Sequence, residues 1–279
     1  MMKLRIALPL IALAMTAGAA SAPAQQTRLL NALPPVDDSA GPSAREAEPF
    51  DPTGYWVSIV TEDWRIRMAT PQVGDHVGVP LTKEAAAKAD TWHPREDIEK
   101  GLECKAFGIG RIMREPTRLH ITWDGDNRLV IDTDAGKQHR VLRFGQERNA
   151  EKGEPSWQGF SEAEWIFAPG GANGVGFGQQ SDKKYGTLHV VTGNVLPGYL
   201  RKNGVPYSDQ TVVTEYIDYI TNPDGTEFLI VKTHVWDPVN LTEPYITSSN
   251  FRRQKNKDGW KPRDCHIEVP PPGKPAGFG

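Results

Sequence analysis

The sequence predicts an all-β fold, mainly antiparallel, built as a barrel or a sandwich with one or two short helices. Three observations predict it. Short runs of β-branched and aromatic residues recur from residue 55 to residue 253. Between them stand Asp124-Gly125-Asp126-Asn127, Asp134-Ala135-Gly136-Lys137 and Asn222-Pro223-Asp224-Gly225, residues that tolerate positive φ or preset a turn. Strong helix formers gather in one place above all, Lys83 to Asp90 behind Thr82, a threonine placed to cap the first turn.

Taken in order, Met1 to Arg5 carries Lys3 and Arg5, and Ile6 to Ala17 is apolar but interrupted by Pro9, too short a run to span about 30 Å of hydrocarbon. The small residues of Gly18 to Ala24 follow, including Ala22-Pro23-Ala24, so 1–24 reads as a secretory signal cut after Ala24. Residues 25–50 are rich in Pro, Ala, Asp and Glu without periodicity and read as a flexible leader. A single β-rich domain is expected over 51–268, and the Pro-rich residues 269–279 as a disordered tail. The protein is therefore expected in the periplasm or secreted.

Within the domain, strands are expected at Tyr55–Thr61, Ile66–Ala69, Leu119–Trp123, Leu129–Thr133, His139–Phe144, Phe160–Phe167, Thr187–Val195, Thr211–Thr221, Glu227–Trp236 and Thr247–Arg253, pairing with their sequence neighbours. A second short helix is expected near Arg95–Gly101. The stretch from Pro169 to Lys184 holds five glycines but lacks the Lys-Ser/Thr ending of a phosphate loop, and reads as a surface loop.

The formal charge is −3 with both signs mixed along the chain, which argues against nucleic acid or a membrane surface as partner. No membrane insertion and no cofactor are expected, and the oligomeric state is not fixed by the pattern. Cys104 and Cys265 are the only cysteines, and an isolated pair in an exported chain reads as a disulfide.

Gly54-Tyr55-Trp56 resembles the Gly-x-Trp that opens many lipocalin-like barrels, where the tryptophan plugs one end. A longer resemblance rests on Val79-Pro80-Leu81-Thr82, Cys104 with Gly108, Trp157-Gln158-Gly159-Phe160-Ser161 with Trp165, Leu188-His189-Val190-Val191-Thr192, Gly204-Val205-Pro206-Tyr207-Ser208, Thr214-Glu215-Tyr216 and Asp237-Pro238-Val239-Asn240-Leu241-Thr242-Glu243-Pro244. In order and spacing these pieces are similar to a widespread family of exported bacterial β-rich proteins. The resemblance implies an exported β domain and carries no reaction with it. The chain departs from that pattern where Tyr207 stands in place of a more usual histidine and where the Gly-rich stretch is inserted.

Three expected strands each hold a histidine: His120, His189 and His234. By the two-residue period His120 shares a face with Thr122 and Asp124, and His234 with Phe228, Ile230, Lys232 and Trp236. If the apolar faces form the core, the histidines point together, into a lumen or out to water. Inward they offer acid–base chemistry with Glu215 and Tyr216, or, less readily, a zinc site; outward they are ordinary polar residues. No metal is expected.

Trp56, Trp123, Trp165, Tyr199, Tyr207 and Trp236 are candidates to line a cavity for a small apolar or aromatic molecule. The carboxylates Glu162, Glu164, Asp237 and Glu243 suit sugar chemistry, but Asp237-Pro238 is more economically a turn. Ser161 lacks the final glycine of a nucleophile elbow. The leading expectation is a lipocalin-like barrel that binds a small apolar or aromatic molecule. The alternative is a cofactor-independent lyase, hydratase or isomerase on the same scaffold.

Overall fold

A computed structural model describes residues 33–36, 41–167 and 186–270. The signal, the Gly-rich stretch and nearly all of the tail lie outside the described residues.

Alternating runs build a closed barrel of nine strands among the described residues. They are β1 (Gly54–Ile59), β2 (Arg118–Trp123), β3 (Arg128–Thr133), β4 (His139–Arg143), β5 (Phe160–Phe167), β6 (Gly186–Gly193), β9 (Val212–Thr221), β10 (Glu227–Trp236) and β11 (Tyr245–Gln254). A two-residue ladder, β7 (Gly198–Tyr199) with β8 (Pro206–Tyr207), stands apart. Round the barrel the order is β1-β11-β10-β9-β6-β5-β4-β3-β2. All neighbours are antiparallel except β4 and β5, which pair in parallel through Leu142 with Ser161 and Arg143 with Glu162.

The hairpins turn where the chemistry demands. Gly125, Gly136 and Gly225 all adopt positive φ, where a Cβ would clash with the following carbonyl. Helix α3 (Lys83–Asp90) begins at Thr82, whose side chain accepts from the Ala85 amide, and α4 (Pro94–Glu99) follows with proline in its first turn.

One expected strand is corrected. Ile66–Ala69 falls within and just after helix α2 (Trp64–Met68), with Trp64 and Met68 exposed and Arg67 buried. The apolar residues that looked like a strand face are thus not the buried ones; Arg67 is pulled in by Glu62 and the Arg114 carbonyl. A second difference concerns residues 41–50, read as leader. Ser43 and Glu46 form a reciprocal capping box on helix α1 (Ala44–Ala47), and Phe50 packs on the barrel. A short cap motif and one aromatic ring ordered a segment whose composition alone looked disordered.

Inside the barrel, Trp56, Leu119, Leu129, Leu142, Val190 and Phe251 have essentially no surface left for a water molecule to touch. Burying side chains of this size stabilises by roughly 1.5–3 kcal/mol each. The middle of the barrel is therefore a packed core. Residues 60–117 and the β7–β8 ladder gather at the end where β2 starts and β10 finishes. There Cys104 and Cys265 are joined in a disulfide with Cα atoms 5.1 Å apart.

Candidate functional site

The opposite end, where β2, β5 and β9 finish, is lined by rings. Strand parity turns Trp123, Trp165 and Tyr219 inward with the core residues that precede them by two, and Phe144 follows β4. Trp123 lies 5.7 Å from Phe144, and Phe144 5.6 Å from Trp165. Phe50 completes the set, stacked on Tyr219 at 5.2 Å and 8° and edge-on to Trp165 at 5.3 Å.

Phe50 comes in on a stopper made by residues 43–50. The Trp165 indole N–H donates to the Ala44 carbonyl at 2.8 Å, and the Trp123 indole N–H to the Glu48 carboxylate at 3.1 Å. The β2–β3 turn holds the stopper's first turn, with the Ala44 amide donating to Asn127 Oδ1 and the Arg45 amide to the Asp126 carbonyl. Beneath it, Arg253 lies 4.3 Å over the Trp56 ring and donates to the carbonyls of Asp51 and Thr53. Glu227 pairs with Arg253 and accepts from the Tyr219 hydroxyl; burial and that acceptor raise the Tyr219 phenol above its ordinary value.

Sequence reasoning named Trp123 and Trp165 for binding, and both stand in this mouth. The other four do not line it. Trp56 is fully buried in the core with its N–H on the Pro52 carbonyl. Tyr207 is buried against Gly108 and Gly198 at the disulfide end, where burial pushes its phenol up. Tyr199 donates to Asp97 at 2.6 Å in the same cap. Burial alone would raise the Asp97 carboxyl, but Tyr199, Trp92 and Lys105 hold it below its ordinary value. Trp236 ends β10 on the outer face, one residue past the buried Val235.

The catalytic candidates separate too. Glu215 points into the barrel and is completely buried, with its carboxylate 2.5 Å from Arg140. Arg140 also donates to Ser161 and Thr192, each at 3.0 Å. The next residue along the strand, Tyr216, must then face outward. There it stacks on His189 at 4.6 Å and 3°, and meets the edge of His234 at 5.8 Å. His189 Nδ1 lies 3.0 Å from Glu164, its cross-strand partner, and its Nε2 is buried with no hydrogen-bond partner among the described residues. Burial and Lys232 both lower the His234 imidazole below its ordinary value. Burial and Glu164 raise the Tyr216 phenol, against a smaller opposing pull from Lys232.

His120 is elsewhere, stacked on Tyr55 at 4.2 Å with Trp260 at its edge, so the three histidines do not point together. Among the described residues no group of three or more His, Cys, Asp or Glu is arranged to hold a metal. Asp237 accepts from both the amide and hydroxyl of Ser208, from the Val239 amide and from Asn240, the pattern of a turn former. Those donors outweigh burial and lower its carboxyl.

Sequence reasoning missed Phe50 and Phe144, and weighed Glu164 only for sugar chemistry. Tyr219 shares the strand face of Glu215 and Ile217 and counts among the aromatic residues able to line a cavity; Phe50 had no such signal, because it lies outside any periodic run.

No protein-family model, curated protein or solved structure matches the chain.

Proposed function

We propose that the protein is an exported β-barrel that binds a small aromatic or apolar molecule in the mouth now filled by Phe50. The carrying observation is the stacked and edge-on seat that Tyr219 and Trp165 give Phe50, a geometry suited to any flat ring. The stopper is held by a handful of hydrogen bonds and a four-residue helix, so a ligand can take its place. The indole N–H groups that now meet Ala44 and Glu48 would then be free to donate, which favours a ring bearing a carboxylate or carbonyl. The disulfide fits an oxidising compartment, in keeping with the signal read in residues 1–24.

Titration calorimetry with a naphthalene sulfonate probe tests this. Phe50→Ala is expected to tighten binding about tenfold, because about 1.4 kcal/mol of competition from the ring is removed. Trp165→Ala in the Phe50→Ala background is expected to abolish that gain. Equal affinity in wild type and Phe50→Ala would sink the mouth as the site.

A second reading is favoured by one observation, the buried Nε2 of His189 whose other nitrogen meets Glu164. A carboxylate that fixes Nδ1–H leaves Nε2 as a base, with Tyr216 beside it as the partner acid. On this reading the outer wall carries lyase, hydratase or isomerase chemistry. His189→Gln should then remove about two orders of magnitude from any turnover found in a metabolite screen while leaving mouth binding intact; unchanged turnover would dismiss the wall.

A further inference from the structure

Where the cap meets the barrel, four guanidiniums converge. Arg67 comes from α2, Arg111 and Arg114 from the 3₁₀ turn at Ile112–Arg114 and its lead-in, and Arg201 from the loop after β7. All four are at least nine-tenths buried. Together with Leu200 and Tyr245 they line a cavity of about 10 Å³, room for one water molecule or a monatomic ion.

Each has a carboxylate partner, but only some of those partners are buried with it. Arg67 meets Glu62 at 2.5 Å and Arg114 meets Asp63 at 2.7 Å, but both carboxylates reach solvent. Arg111 pairs with the buried Glu115, which also faces Lys202 at 3.5 Å, and Lys202 shares the partly exposed Glu268. Arg201 stands 3.9 Å from the buried Asp75, whose nearer partner is Arg65 at 2.7 Å. Counting Lys202 and Arg65, six cations share five carboxylates, of which only Glu115 and Asp75 are buried. The guanidiniums also donate to neutral oxygens: Arg67 to the Arg114 carbonyl and the Ser58 hydroxyl, Arg111 to the Ala106 carbonyl, Arg114 to that of Ser248, and Arg201 to those of Asp75 and Val77. Arg201 Nε is buried and has no hydrogen-bond partner among the described residues.

Like charges crowded in low dielectric repel strongly, and burial first, then Arg114 and Arg111, lower the Arg67 guanidinium against the opposing pull of Glu62 and Asp63. A buried orphan N–H is itself unfavourable unless an ion or water meets it. A small anion answers both conditions, and the cavity admits only a small one.

We propose that the cavity between Arg67, Arg111, Arg114 and Arg201 binds a monatomic anion of the chloride class, which ties the cap to the barrel. Arg201 Nε, buried and without a hydrogen-bond partner among the described residues, is the donor left for such an ion. The site is independent of the mouth and of the histidine wall.

The full mature protein is crystallised from chloride-free solution and soaked in bromide, and thermal unfolding is followed in sodium chloride against sodium gluconate at equal ionic strength. An anomalous bromide peak in contact with these guanidiniums is expected, with a Tm that rises and saturates with chloride, by about 5 °C or more at a hundred times Kd. Arg201→Gln is expected to stay folded in gluconate and to lose the chloride-specific rise. A cavity without a bromide peak overturns the proposal, and so does a wild-type Tm equal in the two salts, whether or not the variant folds.

Discussion

Glu215→Leu is expected to destabilise the protein by about 3–5 kcal/mol, a fall in Tm of roughly 6–20 °C. The substitution removes no large apolar contact. It strands Arg140, which is buried inside the barrel and held by Glu215, Ser161 and Thr192. A guanidinium deprived of its counter-charge retains the full desolvation penalty, and two hydroxyls do not offset it. Arg140→Met should be comparably harmful through the orphaned carboxylate. The double variant Arg140→Met/Glu215→Leu should recover most of the loss, because an apolar pair of similar volume suits the surrounding core. Urea denaturation of the four proteins forms a double-mutant cycle; single variants within about 1 kcal/mol of wild type would show that solvent or a second partner already relieves the pair.

The second large effect is expected from the covalent tie. Cys104 and Cys265 are 161 residues apart in sequence, and in the chain-entropy model a loop of that length contributes about 5 kcal/mol by restricting the unfolded chain. Reduction, or Cys104→Ser with Cys265→Ser, should lower the urea midpoint and steepen the transition, since a more open denatured state exposes more surface. Hydrogen exchange should meanwhile rise first around Arg263, whose amide donates to the Asp134 carbonyl beside the bridge. A reduced protein with the same midpoint and slope would mean that cap packing alone holds the C-terminal segment.

Most of the barrel was legible because its strands obey one period. The runs at Phe160–Phe167 and Glu227–Trp236 appear in the structure with the same bounds, since alternation and turn residues agree there. α2 was misread because the burial of Arg67 depends on the carbonyl of Arg114, 47 residues away, and no local window contains that partner. The disulfide was legible from arithmetic on two cysteines.

The site was only partly legible. Parity could place Glu215 and Tyr216 on opposite faces, but not decide which face was inside; the Arg140 partnership decides it, and it spans 75 residues. His120, His189 and His234 looked equivalent in their strands. What separates them is the position of their strands round the barrel, since β2 and β6 have three strands between them. The stopper was illegible for a different reason: beyond the Ser43–Glu46 capping box, residues 43–50 gain their place from Trp123, Trp165 and Tyr219, which lie far along the chain.

The closure of the barrel also sets an order of events during synthesis. β1 lies between β2 and β11, with Tyr55 opposite both His120 and Gln254, so β1 has one permanent neighbour that emerges only after all the other strands of the barrel. Until residue 254 is available, β1 presents a bare edge of the kind that recruits other chains. Pairing over so many residues is slow, which makes the nascent protein dependent on whatever shields that edge. The single cysteine pair suits this schedule: Cys265 follows β11, and with no third thiol in the chain the bridge has no wrong intramolecular partner to trap a half-closed sheet.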